Sequence, residues 1–136
     1  DVINVAGHRL STAEMEEIVA SHHSVAECAV IGINDELKGQ IPLALVVAKS
    51  GEDIEHFQLQ HEVVKLVREQ IGAVASLRDV VIVQRLPKTR SGKILRKMMR
   101  SIADGEQFQI PSTIDDEEII DEISDVLEHA KISCFK

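Results

Sequence analysis

The order of structural elements is clearest in residues 79–96, which read DVVIVQRLPKTRSGKILR. Asp79–Gln84 is a short apolar run that predicts a strand, whereas residues 86–93 combine proline, glycine and hydroxyl side chains as loops do. Residues 94–103 predict a basic helix that ends near Gly105. A strand, a polar loop and a helix in succession indicate a sheet with helices packed on it.

The residues before this stretch predict the rest of the sheet. Residues 1–10 indicate a short strand pair, and Ser11 or Thr12 can cap a helix that runs to about Ser21, with Glu14 completing a capping box. Two longer apolar runs and two further helical patterns follow, and together they predict an α+β fold. The sheet is expected to be mostly antiparallel, with about three main strands plus the short N-terminal pair. The runs are strands at Val25–Ile33 and Ile41–Ala48, joined across the turn-rich Asn34–Gly39, and helices at Glu52–Gly72 and Asp116–Ala130.

Charge is distributed unevenly along the chain. The 136 residues include 15 Lys or Arg and 23 Asp or Glu, a formal net charge of −8. Residues 85–100 contain seven basic and no acidic side chains, and residues 111–130 contain eight acidic side chains and neither Lys nor Arg. An acidic protein with only 2% aromatic residues is a poor candidate for nucleic-acid binding. The local basic cluster instead indicates a site for a small, defined anion.

The cysteines and histidines predict neither a disulfide framework nor a metal site. Cys28 lies in an apolar run that predicts a buried free thiol, and Cys134 lies in the tail, which fits an intracellular compartment, either the cytoplasm or the mitochondrial matrix. No run approaches the eighteen apolar residues of a membrane span, so no membrane partner is expected. Four histidines are expected to have structural or solvent roles, because His22 and His23 should point to different sides of a helix end and His56 and His61 are five residues apart.

The loop at residues 86–96 has the composition of an anion site. Gly92 allows a sharp turn and close approach of a ligand, and backbone N–H groups of the following helix can add to the site. A P-loop is excluded, because its glycine and hydroxyl positions hold Pro87 and Ile94. Composition alone leaves a solvated basic loop as the alternative. The polar side chains of the loop are Lys88, Thr89, Arg90, Ser91 and Lys93.

The order of these residues is more specific than their composition. The string PKTRSGK followed by ILR, at residues 87–96, resembles the C-terminal signature of the adenylate-forming (AMP-binding) enzymes, especially short-chain acyl-CoA synthetases of the acetyl- and propionyl-CoA type. The start of the chain, DVINVAGHRL, is similar to the segment that follows the interdomain hinge in that family. The resemblance implies that residues 1–105 form the mobile C-terminal domain of such an enzyme, cut from a longer chain. Residues 106–136 would then be an acidic C-terminal extension with one helix.

The resemblance also implies a reaction. Enzymes of this family join a short-chain carboxylate to ATP, release pyrophosphate and pass the acyl group to the thiol of coenzyme A. Lys93 matches the adenylation lysine, with Thr89, Arg90, Ser91 and Gly92 supporting its loop. The ATP and acid pockets would lie on the larger N-terminal domain, so this chain alone is expected to be inactive. Magnesium would come with ATP in the complete enzyme, and this domain alone would hold no cofactor.

Further site residues follow from the same resemblance. Gly7 matches a residue that lines the pantetheine tunnel, although a turn glycine is the alternative. Ala6 stands where relatives often have Ser or Thr, so a hydrogen bond to pantetheine would be absent. Arg9 matches an arginine that contacts nucleotide phosphate, and Arg68 one near the coenzyme A nucleotide; each could instead be a solvated surface charge.

Two other functions remain open at this stage, together with one mode of regulation. The domain could serve an adenylating enzyme that loads carrier proteins, or it could be a non-catalytic module that uses residues 85–100 to bind a polyanion. The resemblance also suggests acetylation of Lys93 as a hypothesis, because loss of its charge would remove the anchor. A lysine acetyltransferase and deacetylase would then be partners.

Overall fold

The structure is a computed structural model that describes residues 2–51, 54–75, 77 and 79–129. Its strands and helices follow one another in the order that the sequence predicts. The strands are β1 (Val2–Val5), β2 (His8–Ser11), β3 (Val25–Asp35), β4 (Gly39–Ala48) and β5 (Asp79–Ile82), and the helices are α1 (Thr12–Ala20), α2 (His56–Gln70), α3 (Arg96–Asp104) and α4 (Glu118–His129), with a 3₁₀ turn at Ala73–Ala75.

Strand β4 is the centre of the sheet. It pairs antiparallel with β3 along its whole length, and on its other side it pairs in parallel with β5. The hairpin of β1 and β2 joins β4 at one point, where Val5 is opposite Gly39. The predicted α+β class and the mainly antiparallel sheet are therefore confirmed.

Two apolar layers cover the two faces of this sheet. Successive residues of β3 point to opposite faces, so that Ala29 and Ile31 pack against α3 and α4 while Val30 packs against α1 and α2. Because both faces are covered, β3 and β4 are almost continuously apolar. The innermost side chains are aliphatic or methionine, including Leu43 and Met99, each with no exposed surface.

Local signals in the sequence predicted the first helix correctly. Ser11 caps α1, and its Oγ accepts a hydrogen bond of 3.2 Å from the backbone N–H of Glu14, as the capping box predicts. Met15 and Val19 are buried on the sheet side of the helix. Gly105, in the left-handed conformation, ends α3.

The predicted starts of three other helices were too early. Helix α2 begins at His56 after Glu55, which makes no capping hydrogen bond through its side chain; Glu52 and Asp53 lie outside the described residues. Helix α3 begins at Arg96, because Ile94 takes part in a β-bridge instead. Helix α4 begins at Glu118, whose N–H donates to Oδ1 of Asp116 at 3.0 Å.

The extension after residue 105 packs on the body of the domain. Three residues of α4 are buried in the same apolar cluster as β3, β4 and α3. A division of the chain at residue 105 remains a prediction. The three residues are Ile119, Ile123 and Leu127.

Candidate functional site

Lys93 lies in a small β-hairpin between β5 and α3, formed by residues 87–95 and called the lysine hairpin below. Lys88 and Ile94 form an antiparallel bridge, and the N–H of Leu95 donates to the carbonyl of Pro87 at 2.9 Å. Nearer the tip, the N–H of Thr89 donates to the carbonyl of Lys93 at 2.9 Å. The sequence predicted a loop here; the structure shows that the loop is an ordered two-stranded ribbon.

Thr89 organises the tip of the lysine hairpin. Its Oγ1 accepts a hydrogen bond of 3.1 Å from the N–H of Lys93 and lies 3.0 Å from Oγ of Ser91. Its carbonyl accepts the N–H of Gly92 at 2.9 Å, and Gly92 has a φ of +93°, a value that favours glycine. Thr89 and Gly92 therefore fix the backbone from which the Lys93 side chain extends. The ammonium group itself is on an exposed residue.

A cleft of about 980 Å³ opens beside Lys93. One wall is the first turn of α1, and another is the start of α3. Its lining is mixed, because apolar side chains such as Met98 and Phe108 alternate with charged ones. The lining residues are Thr12, Ala13, Glu16, Lys93–Met98, Ser101, Gln107, Phe108, Gln109 and Pro111.

Ion pairs within the domain neutralise three of the seven clustered basic residues. Arg85 pairs with Glu122 and, at 2.9 Å, with Asp116. Lys88 pairs with Glu27. The third pair joins Arg96 to Glu16. Within the described ranges, no ion pair involves Lys93, Arg90, Lys97 or Arg100.

The Arg96–Glu16 pair connects the end of the lysine hairpin to α1. Arg96 donates from Nε at 2.8 Å and from Nη2 at 2.6 Å, one bond to each oxygen of the Glu16 carboxylate. The N–H of Val30 donates to the same carboxylate at 2.9 Å. The hydrogen bonds to Glu16 raise the pKa of Arg96. Sequence reasoning missed this pair. The available signal was that Glu16 lies on the same side of the helix as the apolar positions, where a carboxylate needs a partner.

Cys28 lies beside this ion pair as a half-buried free thiol. Its Sγ donates to the carbonyl of Glu16 at 3.3 Å. Burial, and then the charge of Glu16, raise the pKa of Cys28 to about 11. The thiol is therefore protonated and unreactive near neutral pH. Cys134 lies outside the described residues.

Ala6 and Gly7 form the two-residue turn between β1 and β2. Their φ angles are +51° and +87°, which is the backbone of a type I′ turn. The N–H of Ala6 donates to the carbonyl of Lys38 at 2.8 Å, which fixes the turn to the loop before β4. Apart from the neighbouring residues of the chain, a methyl group built at Gly7 would meet no described atom within 4 Å. The turn backbone thus explains a glycine here, and the space beside it is open.

The structure separates the other predicted site residues. Arg9 is exposed on β2, opposite Asn4, and so shares a hairpin with Ala6 and Gly7. Arg68 is exposed in the last turn of α2, on a different element. Lys93 is on a third element, and the cleft beside it includes neither Gly7 nor Arg68.

The histidine prediction needs one correction. His22 and His23 do not point to different sides; their rings stack with centroids 4.6 Å apart. The N–H of Ser24 donates to Nδ1 of His22 at 3.0 Å, so Nε2 carries the proton that faces Glu62 Oε1 at 2.7 Å. This bond lowers the pKa of Glu62. These contacts turn the His22 ring inward. The positions of His22 and His23 along a helix could not predict this orientation, because it depends on Glu62, which is distant in sequence.

Neither a metal cluster nor a membrane span is found in the described part of the chain. Across residues 2–129, apart from the four gap positions, no three histidine, cysteine or carboxylate side chains are grouped as a metal site would require. Among the same residues, no helix combines the length and apolar character of a transmembrane segment.

Comparison with known sequences finds matches over most of the chain. The profile of the family described as "AMP-binding enzyme C-terminal domain" matches residues 14–93. An uncharacterized protein of Pseudomonas aeruginosa is 65% identical over 93% of this chain and 20% of its own length. The mitochondrial "acyl-CoA synthetase short-chain family member B" of Dictyostelium discoideum is 50% identical over 98% of this chain and 19% of its own. An acetyl-coenzyme A synthetase of Penicillium chrysogenum is 45% identical over 96% of this chain and 20% of its own length.

A solved structure shows the same architecture. The crystal structure of an acyl-CoA synthetase from Brucella canis matches with a TM-score of 0.68 and 35% identity. The match covers 74% of this chain and 18% of that one. The chain spans about a fifth of the length of the curated relatives that it matches.

Proposed function

Because the chain belongs to the AMP-binding enzyme C-terminal domain family, we propose that it is the C-terminal domain of an ATP-dependent short-chain acyl-CoA synthetase and that Lys93 is its adenylation lysine. One observation carries this proposal: Lys93 extends from the tip of an ordered hairpin and has no ion pair in the described structure. Three neighbouring cations are held by carboxylates and could not reach a ligand without breaking those pairs. An ammonium that is fixed at its backbone and free at its tip suits an incoming anion.

Lys93 would act on the first half of the reaction. The carboxylate oxygen of the acid attacks the α-phosphorus of ATP, and pyrophosphate leaves. A lysine ammonium near both anions would hold the nucleophile in line and offset the charge that develops on the phosphoryl oxygens. At 4 Å and an effective dielectric constant near 20, one such contact is worth about 4 kcal/mol. The chemistry needs a positive charge at a defined place, which the lysine hairpin provides.

The turn at Ala6 and Gly7 would serve the second half, in which the thiol of coenzyme A attacks the acyl-adenylate and AMP leaves. Its open side is where pantetheine would pass, and Ala6 would offer only its backbone to it. Arg9, exposed on the same hairpin, would contact nucleotide phosphate, and Arg68 on α2 would lie near the coenzyme A nucleotide. Since Lys93 and Gly7 are on separate elements, each half-reaction would use a different part of the domain, and the domain would rotate between them.

Substrates and partners follow from the same proposal. The complete enzyme would use a short-chain acid such as acetate or propionate, ATP and coenzyme A, with Mg²⁺ entering on ATP. The larger N-terminal domain would be the main partner, and the compartment would be the cytoplasm or the mitochondrial matrix. The exposed Lys93 would also be accessible to a lysine acetyltransferase and its deacetylase, and acetylation would remove the charge on which adenylation depends.

The pattern of ion pairs argues against a polyanion-binding module. Affinity for nucleic acid grows with the number of cations that face the phosphates. Three of the seven cations in residues 85–100 are occupied by Glu16, Glu27 and the pair Asp116 and Glu122. Of the four that remain, Arg90 and Lys93 are exposed in the same hairpin turn, and Lys97 lines the same cleft as Lys93. So few available cations fit one compact anion better than a strand of phosphates.

A lysine substitution in the complete enzyme tests the proposal. Lys93→Ala should slow acyl-adenylate formation by about 100-fold or more, by analogy with the loss of a transition-state donor. Thioester formation from supplied acyl-adenylate should persist. Lys65→Ala is the matched control, because it removes the same charge from an exposed site on α2. Equal adenylation rates in the two variants would refute the proposed role of Lys93.

A further inference from the structure

The segment that follows α3 returns to the lysine hairpin and adds a third strand to it. This segment, residues 111–116, is called the strap below. The N–H of Arg90 donates to the carbonyl of Thr113 at 2.9 Å, and the N–H of Asp115 donates to the carbonyl of Lys88 at 2.9 Å. Between these bonds, Thr89 and Ile114 form an antiparallel bridge. The strap therefore binds the strand of the hairpin that carries Thr89.

Apart from its internal hydrogen bonds and the Lys88–Glu27 ion pair, the lysine hairpin has little else to hold its tip. A two-stranded hairpin is at best marginally stable in water, whereas a third strand with a buried side chain makes such a ribbon persistent. Of the tip residues, Arg90, Ser91, Gly92 and Lys93 are all exposed and bury no side chain in the core. The backbone bonds to the strap are thus a large part of what keeps the tip in one place.

The strap, in contrast, is anchored to the body of the domain. Ile114 is only 5% exposed and belongs to the main apolar cluster. Asp116 pairs with Arg85 at 2.9 Å and caps α4, and the N–H of Glu118 together with Arg85 lowers the pKa of Asp116. The buried face of α4 holds the other end. A fixed strand beside a marginal hairpin transmits the rigidity of the core to the turn that carries Lys93.

We infer that the strap is a positioning element for the adenylation step, with Ile114 and the N–H of Asp115 holding the lysine hairpin so that the Lys93 ammonium meets its anion. The inference rests on the proposed role of Lys93. Neither strap residue touches the reacting atoms. They act through Thr89 and Lys88, whose backbone sets the direction of the Lys93 side chain, and a displacement of about 1 Å at a reacting group can cost about 100-fold in rate.

A proline substitution in the complete enzyme removes one strap bond selectively. Asp115→Pro deletes the N–H that donates to Lys88, whereas Asp115→Ala keeps it and is the matched control. In Asp115→Pro, adenylation should fall by about tenfold or more, and thioester formation from supplied acyl-adenylate should change by less than about twofold. Hydrogen exchange at the amides of Thr89, Arg90 and Lys93 should accelerate in the same variant and not in Asp115→Ala.

A second pair of variants tests the anchor without proline. Ile114→Ala removes the buried side chain of the strap, and Ile114→Val restores most of it. We expect the alanine variant to repeat the selective loss of adenylation and the valine variant to recover it. Because the same domain serves both half-reactions, a variant that fails to fold would lose both. The inference would be overturned if Ile114→Ala and Asp115→Pro each lost adenylation and thioester formation to the same extent.

Lys93→Ala, measured alongside, separates the two levels of the argument. Undiminished adenylation in Lys93→Ala would end the proposed function itself, whatever the strap does. Loss in Lys93→Ala together with normal adenylation in Asp115→Pro would leave the proposed function in place and overturn the positioning role. Unchanged exchange at the hairpin amides in Asp115→Pro would overturn it equally, because the strap would then hold nothing.

Discussion

The Arg96–Glu16 pair predicts a measurable loss of stability when Glu16 is replaced by alanine. The side chain of Glu16 is 16% exposed and that of Arg96 is 35% exposed, so the pair is only partly screened by water. Glu16→Ala removes both bonds to Arg96 and the acceptor for the N–H of Val30. It thereby leaves a half-buried guanidinium and a backbone donor without their partner.

The magnitude follows from those three bonds. A hydrogen bond to a charged group contributes about 1.5–3 kcal/mol, and a buried donor left unsatisfied costs about 1–3 kcal/mol. Partial exposure of Arg96 reduces the sum, because water can solvate the freed guanidinium. We therefore expect the free energy of unfolding to fall by about 3 kcal/mol in Glu16→Ala. Glu16→Gln, which keeps an acceptor but not the charge, should lose about half as much.

Urea unfolding of this chain at neutral pH, followed by far-UV circular dichroism, measures the change. A loss of about 3 kcal/mol should lower the urea midpoint by about 1–3 M. Glu17→Ala is the matched control, since it makes the same substitution at an exposed site on the same helix and shares any gain in helix propensity. A difference of less than about 0.5 kcal/mol between the two variants would refute the reasoning, because that is the usual effect of surface substitutions.

Two further predictions concern Gly7 and Cys28. In the complete enzyme, Gly7→Leu should slow thioester formation from supplied acyl-adenylate by about tenfold or more and leave adenylation unchanged. Gly7→Ala is the control, because it has the same backbone strain at a φ of +87° with a smaller side chain. An equal loss in both variants would assign the effect to the turn and not to a tunnel. A rise in the pKa of Cys28 from 9.0 to about 11 lowers its thiolate fraction by about 100-fold at pH 8. In a Cys134→Ser chain, alkylation of Cys28 should therefore be about 100-fold slower in the folded protein than in the protein unfolded by urea. Equal alkylation rates would contradict the burial of the thiol.

Local patterns in the sequence were enough to predict the elements that depend on near neighbours. The cap at Ser11 uses a bond to a residue three positions away, and the alternation in β3 follows directly from the two covered faces of the sheet. The hairpin of β3 and β4 needs only the turn between them. In each case the signal and the structure are within one short segment.

Partners that are distant in sequence could not be predicted in this way. The basic cluster at residues 85–100 suggested seven cations for a ligand, but three of them are paired with carboxylates from distant elements. Arg85 is paired with α4 and the residues just before it, Lys88 with β3, and Arg96 with α1. The strap is a similar case, because nothing local in residues 111–116 indicates a strand. Charge pattern shows that cations are present, and only the fold decides which of them are already paired.

The two turns proposed for the two half-reactions are attached near opposite ends of β4. The turn at Ala6 and Gly7 is fixed beside Gly39, whereas the chain that leads into the lysine hairpin is held by the N–H of Val83 on the carbonyl of Val46. Seven residues of strand separate these attachments, a span of about 23 Å. The strand is buried between both apolar layers and cannot bend without disturbing them. Under the proposed function, rotation of the domain would therefore move the lysine and the glycine turn together, because one buried strand connects their attachments.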